Sequence, residues 1–187
     1  YLQMEYVKGV SLNNYFPSIF DTNWREFEDI FKEAIFAFEY LEKNHILHRD
    51  IRPQNILIDD EGNVKIIDFG FGKMLQSDIS ENDDNSVILN WPVTQFPEDI
   101  TLYGKYNHTT EIYFLGKLFE HFIKEREIKE SFKYTHIIEK MIQVERDKRY
   151  QSFTEIVSAI SELMLRDDYF NDEERSIYLN FASALND

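Results

Sequence analysis

Apolar side chains at Trp24, Phe27, Phe31, Ala34, Ile35, Phe38 and Leu41 follow the i, i+3, i+4, i+7 spacing of one helical face, so the pattern predicts a helix over 24–41. Asn23, with Glu26 three residues on, supplies its N-cap. From Thr110 onward three further helical stripes follow. Ile112, Leu115, Phe119, Phe122 and Ile123 make the first, Ile137, Ile138, Met141 and Ile142 the second, and Phe153, Ile156, Val157, Ile160 and Leu163 the third. Between these regions Ile56-Leu57-Ile58 and Val64-Lys65-Ile66-Ile67 read as short strands. The turn formers Asp59-Asp60-Glu61-Gly62-Asn63 join them into a small hairpin. The aromatic and β-branched stretch Tyr1–Val7 reads as a short strand that stops at Lys8-Gly9. Ser77–Ser86 is polar and acidic and reads as an exposed loop. Asp167–Glu174 is an acidic connector, after which Ile177, Phe181 and Leu185 line a last amphipathic helix. The expected fold is mainly α, with a small β-hairpin.

Composition narrows the class. A chain of 187 residues with 43% hydrophobic and 16% aromatic residues has material for one sizeable core. Its 16 Phe and 11 Tyr point to a core built on large rings. A formal charge of -15 disfavours nucleic acid as a partner, because a phosphate backbone would be repelled. A nucleotide is not disfavoured, since Mg²⁺ neutralises its few phosphates locally. With no cysteine there is no disulfide or thiolate metal site, which agrees with a reducing, cytoplasmic setting. No apolar run approaches the roughly 20 residues of a membrane span.

The chemistry concentrates in His48-Arg49-Asp50-Ile51-Arg52-Pro53-Gln54-Asn55 and, beyond the hairpin, in Asp68-Phe69-Gly70. Phosphoryl transfer needs a carboxylate for the incoming hydroxyl, and hard oxygen ligands that hold Mg²⁺ against the phosphates. Asp50 suits the first task, and Asn55 with Asp68 the second. Taken singly, each is equally a turn or cap residue. Their joint spacing, with a hairpin-sized gap of apolar strands between, is far more specific.

This arrangement resembles the catalytic and metal-binding loops of eukaryotic-type protein kinases. The resemblance covers nearly the whole chain and implies a helical C-terminal lobe over 1–166. Its hinge would lie at 1–9 and its activation segment at about 68–98, with 167–187 as an appended connector and helix. It implies ATP and Mg²⁺ as cofactors and a protein substrate. Asp50, Arg52 and Asn55 would be catalytic, and Asn55 and Asp68 would hold the metal. Met4-Glu5-Tyr6-Val7 resembles the hinge, so the backbone of Glu5 and Val7 would meet the adenine edge, with Met4 at the mouth of the back pocket. Ser11 would approach the ribose, and Leu57 would floor the adenine site. His48 and Phe69 would brace the site as core aromatics. Pro97-Glu98 resembles the end of the activation segment, which implies an ion pair between Glu98 and Arg149. Glu111-Ile112-Tyr113-Phe114-Leu115-Gly116 resembles the start of the central buried helix.

Several positions depart from the family pattern. Arg52 replaces a lysine, and a planar fork is not equivalent to a compact ammonium. Glu111 stands where an aspartate anchors the catalytic loop, so an extra methylene must be accommodated. Trp91 replaces a threonine and Phe96 an alanine, which bears on the peptide groove. Arg49 often receives a phosphorylated residue in the family, and here Asp78, Glu81, Asp83 and Asp84 are expected to substitute in part. The resemblance starts at the hinge, and residues 1–187 hold no glycine-rich phosphate loop. The expectation is therefore a kinase lobe, Ser/Thr-like from Pro53, that needs an N-terminal lobe and is inactive alone. A non-catalytic, pseudokinase-like interaction module is the main alternative. A small-molecule kinase is disfavoured by Arg49, Phe69-Gly70, Pro97-Glu98 and Arg149.

Overall fold

The longest predicted helix is present as α2, Arg25–Lys43. We describe it from a computed structural model of the chain, which describes residues 6–20, 25–74, 95–125, 128 and 131–166. Phe27, Phe31, Ala34, Ile35, Phe38 and Leu41 are all buried, as the stripe requires. The expected cap at Asn23 lies outside the described residues. At the far end His45 adopts a left-handed φ of 57°, which turns the chain out of the helix. The acidic face of α2 also anchors its neighbours. Glu28 accepts the Lys133 N–H at 2.9 Å, Glu33 the Val64 N–H at 2.7 Å and Glu42 the Phe153 N–H at 2.9 Å.

α1, Leu12–Phe20, was not expected from the pattern. It is short and contains Pro17, and Leu12 and Phe16 dominate its buried face. The stripes after Thr110 form α4, His108–Glu125, and α6, Phe153–Arg166, with the shorter α5, Thr135–Met141, between them. A single helical turn, α3, Glu98–Thr101, precedes α4. Asn107 caps α4: its Oδ1 accepts the Thr110 N–H, while Thr110 Oγ1 accepts the Asn107 N–H, each at 3.2 Å.

Rings from five parts of the chain fill the core. Phe16 meets Phe122 at 4.1 Å between centroids, Phe31 meets Phe119 edge-on at 5.0 Å, and Phe27 meets Phe132 at 5.5 Å. Phe38 stacks on Phe153 at 5.5 Å and so joins α2 to α6.

The strands cluster on one side, as expected. β3, Ile56–Asp59, and β4, Val64–Ile66, form the hairpin, pairing Ile56 with Ile66, Leu57 with Lys65 and Ile58 with Val64. Gly62, at φ 87°, and the Asp59 carboxylate, which accepts the Glu61 and Asn63 N–H groups, shape the turn. A third strand, β1, Gly9–Ser11, pairs antiparallel with β3. The N-terminal strand was expected over 1–7. Instead Tyr6 to Lys8 are irregular, the strand starts at Gly9, and residues 1–5 lie outside the described residues. β2, Ile46–Leu47, pairs with β5, Lys73–Met74, bringing the chain after Asp68-Phe69-Gly70 back beside the start of the 48–55 loop. Among the described residues no helix is long and apolar enough to cross a membrane.

Candidate active site

The 48–55 loop leaves β2 and ends in a 3-10 turn, Pro53–Asn55, that runs into β3. Pro53 suits the first position of such a turn, where no N–H is needed. Arg49 adopts a left-handed φ of 67°, and Asp68 one of 64°. Both are strained conformations for side chains of this kind, and they flank the polar cluster.

Asp50 and Asn55 are buried within that cluster. The Asn55 amide donates to the Asp50 carbonyl oxygen and to Asp50 Oδ2, each at 2.9 Å. Arg52 Nε lies 3.2 Å from the same Oδ2, and its Nη2 lies 3.9 Å from Asp68 Oδ2. Arg52 thus sits between the two carboxylates. Because the Asn55 nitrogen is committed to Asp50, its carbonyl oxygen is the atom left for a cation. The Asp68 side chain is half exposed, and its Oδ1 accepts the Gly70 N–H at 3.3 Å. Among the described residues no cluster of three His, Cys, Asp or Glu side chains could enclose a metal unaided.

His48 braces the loop. Its Nε2 lies 2.9 Å from the Ile67 carbonyl oxygen and its Nδ1 accepts the Asp50 N–H at 3.2 Å, so the proton belongs on Nε2. Burial pulls its pKa below the usual value. The Phe69 ring packs edge-on against it at 4.8 Å but is 43% exposed, so of the two expected core aromatics only His48 is buried. From below, Glu111 of α4 accepts the His48 N–H at 2.7 Å and the Arg49 N–H at 2.8 Å through Oε1. The longer acid is therefore accommodated and anchors the loop. Tyr106, not foreseen from the sequence, places its hydroxyl 3.4 Å from the same oxygen, while the Arg49 guanidinium lies 5.8 Å from its ring centre. No periodic or motif signal marks Tyr106, since it precedes α4.

Of the residues expected on the nucleotide side, Ser11 and Leu57 are direct register partners across β1 and β3. Ile56 and Ile58 point into the core, so alternation turns Leu57 to the opposite face. Val7 lines a separate groove of ≈ 640 Å³ with Tyr6, Tyr40, Val64, Ile66 and Phe69. Met4 and Glu5 lie outside the described residues, as do Trp91 and the acidic side chains expected near Arg49.

One expectation is corrected. Arg149 pairs with Asp99, not with Glu98: its Nη1 lies 2.8 Å from Asp99 Oδ2, and both side chains are fully buried. The guanidinium also donates to the carbonyl oxygens of Thr109, Gln143 and Val144. Glu98 opens α3 and stays half-buried, and among the described residues its carboxylate reaches only the Arg146 N–H, at 3.3 Å. One residue further along a helix turns the side chain by about 100°, which carries Asp99 inward, where Thr109 Oγ1 also donates to it at 2.7 Å.

Comparison with known proteins shows the family. The protein kinase domain matches residues 1–179, and the chain belongs to the protein kinase family. Relatives named as serine/threonine-protein kinases are among the proteins it resembles. The chain is 40% identical over 77 residues to the serine/threonine-protein kinase PrkC of Bacillus subtilis, covering 41% of this chain and 12% of that protein. It is 40% identical over 83 residues to the probable serine/threonine-protein kinase MARK-C of Dictyostelium discoideum, covering 41% and 11%. The CTD kinase subunit alpha of Saccharomyces cerevisiae is 41% identical over 83 residues, covering 44% and 15%. The matched stretches are thus a small part of these longer proteins.

Proposed function

We propose that this chain is the catalytic lobe of a serine/threonine protein kinase, which moves the γ-phosphoryl group of ATP to a protein hydroxyl. The observation that carries the reading is the cluster of Asp50, Asn55, Arg52 and Asp68, held on two strained turns. Asp50 is anchored through Oδ2, and among the described residues its Oδ1 takes no hydrogen bond. That oxygen is placed to orient the substrate hydroxyl and take its proton. The acceptor oxygen then bonds to phosphorus as the bond to the departing ADP breaks. Arg52, beside both carboxylates, offsets charge that develops on the phosphoryl oxygens.

Asn55 and Asp68 fit Mg²⁺. They offer an amide oxygen and a carboxylate, and a site left incomplete by protein suits an ion that keeps water and phosphate oxygens in its shell. The metal would supply charge neutralisation and polarisation of the phosphates. Ser11 and Leu57, paired on the face away from the core, would meet the nucleoside, with the hinge segment carrying Met4, Glu5 and Val7 at its edge. On this reading residues 1–166 are the C-terminal lobe, with the hinge at 1–9 and the activation segment at about 68–98, and 167–187 are an appendage. An N-terminal lobe would complete the ATP site. It would cover the ≈ 640 Å³ groove, where Tyr6, Tyr40 and Phe69 leave large apolar surface in water. The reducing cytoplasm is the setting that suits a cysteine-free, ATP-dependent chain.

The test is phosphorylation of a protein substrate by the full-length protein with Mg-ATP, compared with Asp50→Asn. Turnover should fall about 10²–10⁴-fold or more, the range for removing a general base. Equal turnover in the two would refute the reading. Magnesium-dependent nucleotide binding without transfer would favour the interaction module instead.

A further inference from the structure

Glu111 is bonded asymmetrically. Its Oε1 accepts the His48 and Arg49 N–H groups and faces the Tyr106 hydroxyl. Its Oε2 is buried with no hydrogen-bond partner among the described residues. Both ring nitrogens of His108 are also buried and unpartnered, and Nδ1 lies 3.9 Å from that oxygen. An orphaned buried acceptor beside an orphaned imidazole is costly if both lack a proton. A proton on Oε2 pairs that oxygen with Nδ1, after an approach of about 1 Å to normal hydrogen-bond length, and leaves the imidazole's own proton on Nε2.

We propose that Glu111 works as a neutral carboxylic acid whose Oε2–H is given to His108, making His108 a positioning residue for the 48–50 loop. This deepens the kinase reading, because the loop it steadies is the one that presents Asp50. An aspartate here would be one methylene shorter. The extra reach of Glu111 is what brings a second oxygen to His108.

The surrounding charges agree. Burial pushes the Glu111 carboxyl up to about 8, against hydrogen bonds from the loop and attraction from Arg49. Burial, aided by His45, holds His108 down at about 4. Burial and the nearby Glu111 raise the Tyr106 hydroxyl well above its usual value, so it stays a donor, and Asp50 acts on it in the same direction. His48 is neutral by its bonding. Near pH 7 the pair is therefore acid and base, both uncharged, with one proton between them.

The experiment is a pH titration of the full-length protein, following the backbone amide nitrogen shifts of His48 and Arg49, which report on Glu111 Oε1. The expected midpoint is near 8 in the wild type. His108→Phe removes the acceptor of the acid proton and should lower the midpoint by a unit or more, a tenfold or greater loss of proton affinity. His108→Gln, whose amide oxygen accepts, should restore it in part. A wild-type midpoint below 6, or one that His108→Phe leaves in place, overturns the proposal. If the Phe variant fails to fold, the wild-type midpoint still decides. A midpoint near 8 in a protein that transfers no phosphate would uphold the pair and count against the proposed function alone.

Discussion

Replacing Asp99 by Asn tests the corrected ion pair most directly. The change keeps shape but removes the charge that faces Arg149 Nη1 at 2.8 Å, inside a region where both side chains are fully buried. A guanidinium cannot shed its proton to escape burial. Breaking a buried pair from one side costs about 3–5 kcal/mol, because the remaining charge is left uncompensated. Here the carbonyl oxygens of Thr109, Gln143 and Val144 still accept from Arg149, which favours the lower end, about 3 kcal/mol. That is a large share of a typical net stability of about 5–15 kcal/mol. Glu98→Gln removes far less. Its carboxylate is half-buried and meets one N–H at 3.3 Å, so its loss should cost about 1 kcal/mol or less. Equilibrium urea unfolding of both variants measures the difference, and with a slope of about 2 kcal/mol per molar the Asp99→Asn midpoint should fall by about 1.5 M. If Glu98→Gln cost as much as Asp99→Asn, the assignment of the pair would be wrong.

Other outcomes follow from the same structure. A Cβ on Gly116 would lie 2.8 Å from Met141 Cβ and 2.9 Å from Ile142 Cγ2, so Gly116→Val should loosen α4 against α5 by about 1–3 kcal/mol. An unchanged melting temperature would contradict that packing. Because the folded carboxyl of Glu111 is raised from 4.5 to about 8, its contribution to stability is full below pH 4.5. It is lost as pH rises through about 8, and a wild type that gained stability against Glu111→Gln across this window would reverse the sign. Asp68→Asn, at a half-exposed side chain, should abolish magnesium-dependent nucleotide binding while moving the melting temperature little. Retained magnesium dependence, measured by calorimetry, would exclude Asp68 as a ligand.

Much of the fold was readable because it is written in local periodicity. α2, α4 and α6 each carry an apolar stripe, and apart from Trp24, which lies outside the described residues, the residues named for those stripes are buried or packed against the core. The hairpin was legible from its turn formers, and Asp50, Asn55 and Asp68 from their spacing. α1 was not, because a helix of 9 residues with an internal proline has a weak local signal, and burial of Leu12 and Phe16 holds it. Nor was β1 at Gly9–Ser11 legible, because aromatic residues favour strands but pairing with β3 selects the residues that form one.

What the sequence determined by itself, then, is where the striped helices α2, α4 and α6 lie and which short segments are proposed to carry phosphoryl transfer, since both depend on neighbours along the chain. Tertiary structure decided the partners. Glu98 and Asp99 are adjacent acids with equal claims on Arg149 until helix rotation and burial select one. Glu111 was singled out by resemblance, but its place beside His108 and away from water comes only once α4 carries it beneath the loop. Pair choice and protonation depend on distance and on desolvation, and the fold creates both.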